Sequence, residues 1–182
     1  YWAGELLNGA GGSAGMYMAG FFPSMMFGLP AAAMAIIHCA KPQRRKEAAS
    51  LLGAAAICAF ICGVTEPFEF AFMFLAPVLY LIYAVLYGVV AAVSVALGFR
   101  AGFSFSAGLT DLVFSATLPA AAKTFLILPL GIGAAVVFYL VFRIAIPALD
   151  LKTPGREDED EDETKIELAN NDFTAMASII LE

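Results

Sequence analysis

The sequence predicts an all-α membrane protein: a multi-helix transmembrane bundle with broken helices and a re-entrant hairpin. Three observations carry this expectation. Of 182 residues, 61% are hydrophobic and only 14% are charged, whereas soluble domains run near half apolar and about a quarter charged. The charges are also unevenly placed. Between Glu47 and Arg100 the only Asp, Glu, Lys or Arg residues are Glu66 and Glu69, and between Arg100 and Arg143 only Asp111 and Lys123. Such runs exceed the roughly 20 apolar residues that cross a bilayer core. Finally, Gly and Pro interrupt the apolar runs, as in Gly28-Leu29-Pro30 and Thr65-Glu66-Pro67, which predicts kinked or discontinuous helices.

The elements follow in order. Residues 1–14 are Gly-rich and read as a loop or interfacial segment, with Tyr1 and Trp2 suited to the headgroup region. Residues 15–40 form an apolar run broken by Pro23 and Pro30. The loop 41–47 carries four basic residues, Lys41, Arg44, Arg45 and Lys46, and the positive-inside rule places it in the cytoplasm. Residues 48–62 are small and apolar, as in a closely packed membrane helix. The Gly63–Phe70 stretch predicts helix, break, helix, because Pro67 pushes Glu66 away from helical geometry. Residues 70–98 resume the apolar pattern around Pro77, 99–123 read as a loop, re-entrant piece or interfacial helix, and 124–147 are the clearest span. Arg143, Lys152 and Arg156 flank the end of that span. They place the tail in the cytoplasm too, with an even number of net crossings between 41–47 and Asp150.

The net charge of −6 belongs to a tail, since seven consecutive acids run from Glu157 to Glu163 and the remainder is close to neutral. No basic stripe points to nucleic acid. Cys39, Cys58 and Cys62 lie in apolar surroundings without a second Cys/His pair, so no metal is expected. No nucleotide-binding loop, metalloprotease motif or nucleophile elbow occurs, and no cofactor or catalytic residue is assigned. The one histidine, His38, adjoins the basic loop and reads as a helix-end group.

Glu66 and Glu69 are the informative residues. A carboxylate at membrane depth is costly and usually faces a cavity that serves substrate or ions, and discontinuous segments recur at transporter sites. Sugar hydroxyls donate hydrogen bonds and a carboxylate accepts them strongly. A solvated loop would also account for both residues, and their spacing of three does not by itself make an acid/base pair. Asp111 and Lys123 read as interfacial groups or pathway partners. Ser104, Ser106 and Thr110 bind hydroxyls or cross-link helices. Phe68, Phe70, Phe72 and Phe74 read mostly as lipid-facing packing, with one ring able to stack on a sugar.

Gly63-Val64-Thr65-Glu66-Pro67-Phe68-Glu69-Phe70, with Ala76-Pro77 downstream, resembles the G-I-T-E-P-I-E-F signature of the glucose-superfamily IIC permeases of the phosphotransferase system. Val64 and Phe68 depart from it conservatively. Phe22 to Ala33 and Ala40-Lys41-Pro42 are similar to further stretches of the same family. The resemblance implies a homodimeric domain with a scaffold half and a moving half, of which this chain looks like the moving half. It implies that Glu66, beside Thr65, contacts the sugar, with Gly63, Pro67 and Glu69 shaping the loop. It further implies that the sugar is phosphorylated by a phosphocysteine on a IIB domain in cis, fed by upstream phosphocarrier proteins, at the bacterial cytoplasmic membrane. None of the three cysteines here fits that role. The Met16–Pro23 run looks most like the N-acetylglucosamine branch, with glucose as the alternative. An ion-coupled secondary sugar transporter using Glu66 is the other class. The expected organisation is 1–150 as the C-terminal part of the transmembrane IIC domain, 151–165 as an acidic solvated cytoplasmic linker, and 166–182 as the cut start of IIB. With no Met at Tyr1 and an ending in mid-pattern, both ends are expected to be cuts in a longer protein.

Overall fold

Along α1, Met16–Cys39, the helix is continuous but not uniform. It passes through a π-helical stretch at Ser24–Gly28, between Pro23 and Pro30. Proline lacks an N–H and crowds the carbonyl four residues back, and a widened turn relieves both. The computed structural model describes residues 15–118 and 121–157. The readings placed on 1–14, on most of the acidic run and on 166–182 lie outside the described residues.

After α1 come α2 (Arg45–Cys62), α3 (Glu66–Met73), α4 (Pro77–Ala96), α5 (Leu109–Ala116) and α6 (Thr124–Ala148). Among the described residues there are no strands, and a lone antiparallel bridge, Arg100 to Ala122, closes the base of the loop that carries α5. Three helices, α1, α4 and α6, are long and apolar enough to cross a membrane. The helix expected over 48–62 begins earlier, at Arg45, because Arg, Lys and Glu are good helix formers that extend it past the apolar run.

Contacts along the bundle fix the helix directions. His38, at the end of α1, bonds Tyr139 of α6 at 2.9 Å, and Arg143 reaches Cys39 at 3.1 Å. So α1 and α6 run parallel. α2 returns antiparallel, bringing Phe60 against Phe27. α3 turns back, and Phe72 meets Phe142 near the end of α6. α2 and α3 are therefore a hairpin that enters and leaves at one end of the bundle. α4 then runs the full length to the start of α1, where Gly20 leaves room for only the Ala91 backbone.

Two clusters form the core. The larger joins Leu29, Ile36, Leu52, Phe68, Phe72, Leu79, Tyr83, Phe138 and Phe142. The smaller lies at the other end, with Phe22, Met26, Phe99, Ala107 and Ile127. Close packing of α1 on α6 depends on small residues: a β-carbon at Gly131 would strike the ring of Phe27. The phenylalanines of α3 divide. Phe68 and Phe72, four apart on one face, are fully buried, while Phe70 and Phe74 are exposed. The lipid-facing reading thus fails for Phe68 and Phe72.

The segment after α6 differs from the solvated linker expected of it. Residues 151–157 dock on the α1–α2 corner. Lys41 N–H donates to Gly155 O at 2.9 Å, Lys41 Nζ to Glu157 O at 2.9 Å, and Arg44 pairs with the Glu157 carboxylate at 3.1 Å. Thr153 is fully buried. Loop 41–47 and the end of α6 therefore sit at the same end of the bundle.

Candidate functional site

The hairpin tip is the candidate site. α2 ends because Gly63 adopts a left-handed conformation, φ 74°, which favours glycine. Val64 and Thr65 are non-helical, and α3 starts at Glu66. The break therefore falls before Glu66 rather than at it. Pro67 sits in the first turn of α3, where its missing N–H costs nothing and its fixed φ suits the helix.

Thr65 is buried and Glu66 is exposed. Thr65 N–H donates to Glu66 Oε2 at 3.0 Å. That bond orients the carboxylate at the positive end of a helix, where a negative charge is favoured. Among the described residues the other oxygen, Oε1, accepts no protein hydrogen bond, so it is available to an incoming donor. Glu69, one turn on, faces the opposite way chemically: its Oε1 accepts from the Tyr83 hydroxyl at 2.7 Å. Tyr83 is buried on α4 among Phe72, Tyr80, Tyr87 and Phe138. Glu69 thus ties α3 to α4, and the two carboxylates have different work.

The tip is covered from the far end of the bundle by the loop 99–108 and α5. Ser106 Oγ donates to Gly63 O at 2.7 Å, and Thr110 Oγ1 to Ile61 O at 3.3 Å. These are carbonyls at the end of α2 that lack helical partners. Gly63 and Gly108 let the two backbones touch: a β-carbon on Gly108 would lie 2.5 Å from Gly63 N. Asp111 holds this loop. It is 6% exposed and accepts from Ser104 N–H at 2.8 Å and Ser104 Oγ–H at 3.0 Å. The interfacial reading of Asp111 does not survive: it is a buried anchor. Its signal was local, an acid in the first turn of a helix starting after Gly108, with two serines just upstream. Lys123 instead donates to Leu97 O at 2.8 Å, capping α4. His38 lies with Tyr139 at the opposite end of the bundle from the tip. No group of three metal-ligating side chains occurs among the described residues.

Three helices long and apolar enough to span, joined by a hairpin broken at its tip, define a polytopic helical membrane protein. Residues 1–88 match the family model described as "Phosphotransferase system, EIIC". Over 82% of its length the chain is 52% identical to the N-acetylglucosamine-specific EIIC component of Streptomyces coelicolor, covering 35% of that protein. It is 54% identical over 83% of its length to the N-acetylglucosamine-specific EIICB component of Bacillus subtilis, covering 33% of it. Against the N-acetylglucosamine-specific EIICBA component of Escherichia coli the identity is 49% over 88%, covering 25% of that protein. The chain belongs to the EIIC family of the phosphotransferase system. It spans about a third or less of the length of these relatives.

Proposed function

We propose that this chain is the C-terminal part of an EIIC sugar permease domain that carries N-acetylglucosamine across the cytoplasmic membrane, where a IIB domain in cis phosphorylates it. Glu66 accepts hydrogen bonds from the sugar hydroxyls, and the buried Thr65 orients it. The observation that carries this reading is the Glu66 carboxylate itself, fixed at a helix break through one oxygen and, among the described residues, open at the other. The three relatives named for N-acetylglucosamine support the substrate, and the EIICB and EIICBA architectures support a IIB domain following the acidic segment.

The orientation follows from charge. The 41–47 loop and residues 150–157 lie together at one end, with Lys41, Arg44, Arg45, Lys46 and Arg156, and that end faces the cytoplasm. The exposed apolar faces of α4 and α6 contact lipid or the rest of the domain, which forms a homodimer.

In the intact permease, Glu66→Gln should lower phosphoenolpyruvate-dependent uptake of labelled N-acetylglucosamine at least about tenfold, because a hydrogen bond to a charged group contributes about 1.5–3 kcal/mol. The variant should reach the membrane in normal amounts. Uptake at the parental rate would refute the role of Glu66. Uptake that needs no phosphoenolpyruvate and delivers free sugar would point to a secondary transporter instead.

A further inference from the structure

We infer that Ser106 and Asp111 are positioning residues for the sugar site, acting on Glu66 from the far end of the bundle through the Gly63 carbonyl. The inference rests on the proposed role of Glu66.

The hairpin tip has to be irregular to present Glu66, and irregular backbone in a membrane needs partners for its freed polar groups. For the carbonyls of Ile61 and Gly63 those partners come from one place, the segment from Ser106 to Thr110. Ser106 supplies a hydroxyl to Gly63 O at 2.7 Å, three residues before Glu66. Thr110 supplies a second, longer bond to Ile61 O. Ser106 is itself located by Asp111, whose Oδ1 takes both donors of Ser104 and whose Oδ2 lies 3.5 Å from Ser106 N. Ala107, between Ser106 and Gly108, is fully buried. A chain of contacts therefore runs Asp111, Ser104 to Ser106, Gly63, Thr65, Glu66. Its last link is the Thr65 N–H that orients the carboxylate. Nothing else among the described hydrogen bonds holds the Gly63 carbonyl.

The geometry assigns different jobs to the two ends of this chain. Glu66 meets the ligand, and Ser106 sets where Glu66 stands. A shift of the Gly63 peptide would tilt the Thr65 N–H and move the carboxylate without removing it. Losing Ser106 should therefore weaken sugar binding while leaving the bundle folded, since the residue is half-buried and its loss opens only a hydroxyl-sized space.

The test is equilibrium binding of N-acetylglucosamine to the intact, membrane-embedded permease, with its amount measured by immunoblot. Ser106→Ala should weaken binding about five- to tenfold, and Ser106→Thr, which keeps the hydroxyl, should stay within about twofold of the parent. Asp111→Asn should weaken binding in the same direction. The decisive readout is coupling: in a Glu66→Gln background, Ser106→Ala should cost less than about twofold more, because groups acting in one chain are not additive. An equal fold-loss in both backgrounds, or a Ser106→Thr as impaired as Ser106→Ala, overturns the inference. Unchanged binding by Glu66→Gln alone counts against the proposed function. Unchanged binding by Ser106→Ala beside an impaired Glu66→Gln counts against the brace alone.

Discussion

The hairpin tip and the opposite corner of the bundle solve the same problem with different chemistry. At both, the chain leaves helical geometry and a distant segment covers the exposed backbone. At the corner, residues 151–157 cover the α1–α2 turn with charge: Lys41 and Arg44 on Glu157, and Arg156 on Cys39 O and Asp150. At the tip, the covering groups are the neutral hydroxyls of Ser106 and Thr110, and the carboxylate behind them, Asp111, is buried and bonded by neutral donors. With the corner at the cytoplasmic face and the tip at membrane depth, as proposed above, guanidinium and ammonium groups suit the first, where water reaches them, and small, fully bonded neutral donors the second. The contrast bears on the role proposed for the tip. The corner pairs its charges with its own groups, while among the described residues the tip leaves one Glu66 oxygen without a hydrogen bond.

The largest expected effect lies at the tip. Gly108→Val would place side-chain atoms inside the backbone at Cys62 and Gly63. It should cost several kcal/mol, of the size that marks exceptional substitutions, at least about 4 kcal/mol, seen as loss of folded permease in the membrane. A normally folded Gly108→Val would break the close contact on which the brace depends. Next comes the core beneath it. Phe72→Ala removes a fully buried ring that touches Phe68, Tyr80, Tyr83 and Phe142, and should cost about 3–5 kcal/mol. Phe74→Ala, on the exposed face of the same region, should stay within about 0.5 kcal/mol. Thermal unfolding in detergent compares the two. The corner ranks below Phe72. Arg44→Ala removes a partly buried ion pair with Glu157 and should cost about 1 kcal/mol, diminishing as salt is raised. A salt-independent loss there would erase the proposed difference between the two regions.

Much of the fold was legible because its determinants are local. The long span expected over 124–147 is Thr124–Ala148, and the helix–break–helix pattern at 63–70 follows from Gly63 and Pro67 alone. The break nonetheless lies one residue earlier than proline chemistry suggested, since Pro67 opens a helix as readily as it ends one. The inward face of α3 was not legible: alternating Phe residues at 68, 70, 72 and 74 carry no mark of which pair meets Phe142. The covering segments were not legible either. Ser106 lies 43 residues from the carbonyl it bonds, and Gly155, which lies against Ala40, reads in sequence as ordinary linker. Glu66 stood out because an acid among apolar residues is conspicuous. Asp111 was equally conspicuous, but its bonds to Ser104, which distinguish an anchor from a solvated group, required coordinates.

The most direct test compares the two carboxylates of α3 by equilibrium titration of N-acetylglucosamine against the intact permease carrying Glu66→Gln or Glu69→Gln. Among the described residues Glu66 has an open oxygen and Glu69 is engaged by Tyr83. Glu66→Gln should therefore lose at least about tenfold in affinity, while Glu69→Gln should bind within about threefold of the parent. Parental affinity in Glu66→Gln, or a larger loss in Glu69→Gln, would contradict the placement of the sugar at the hairpin tip.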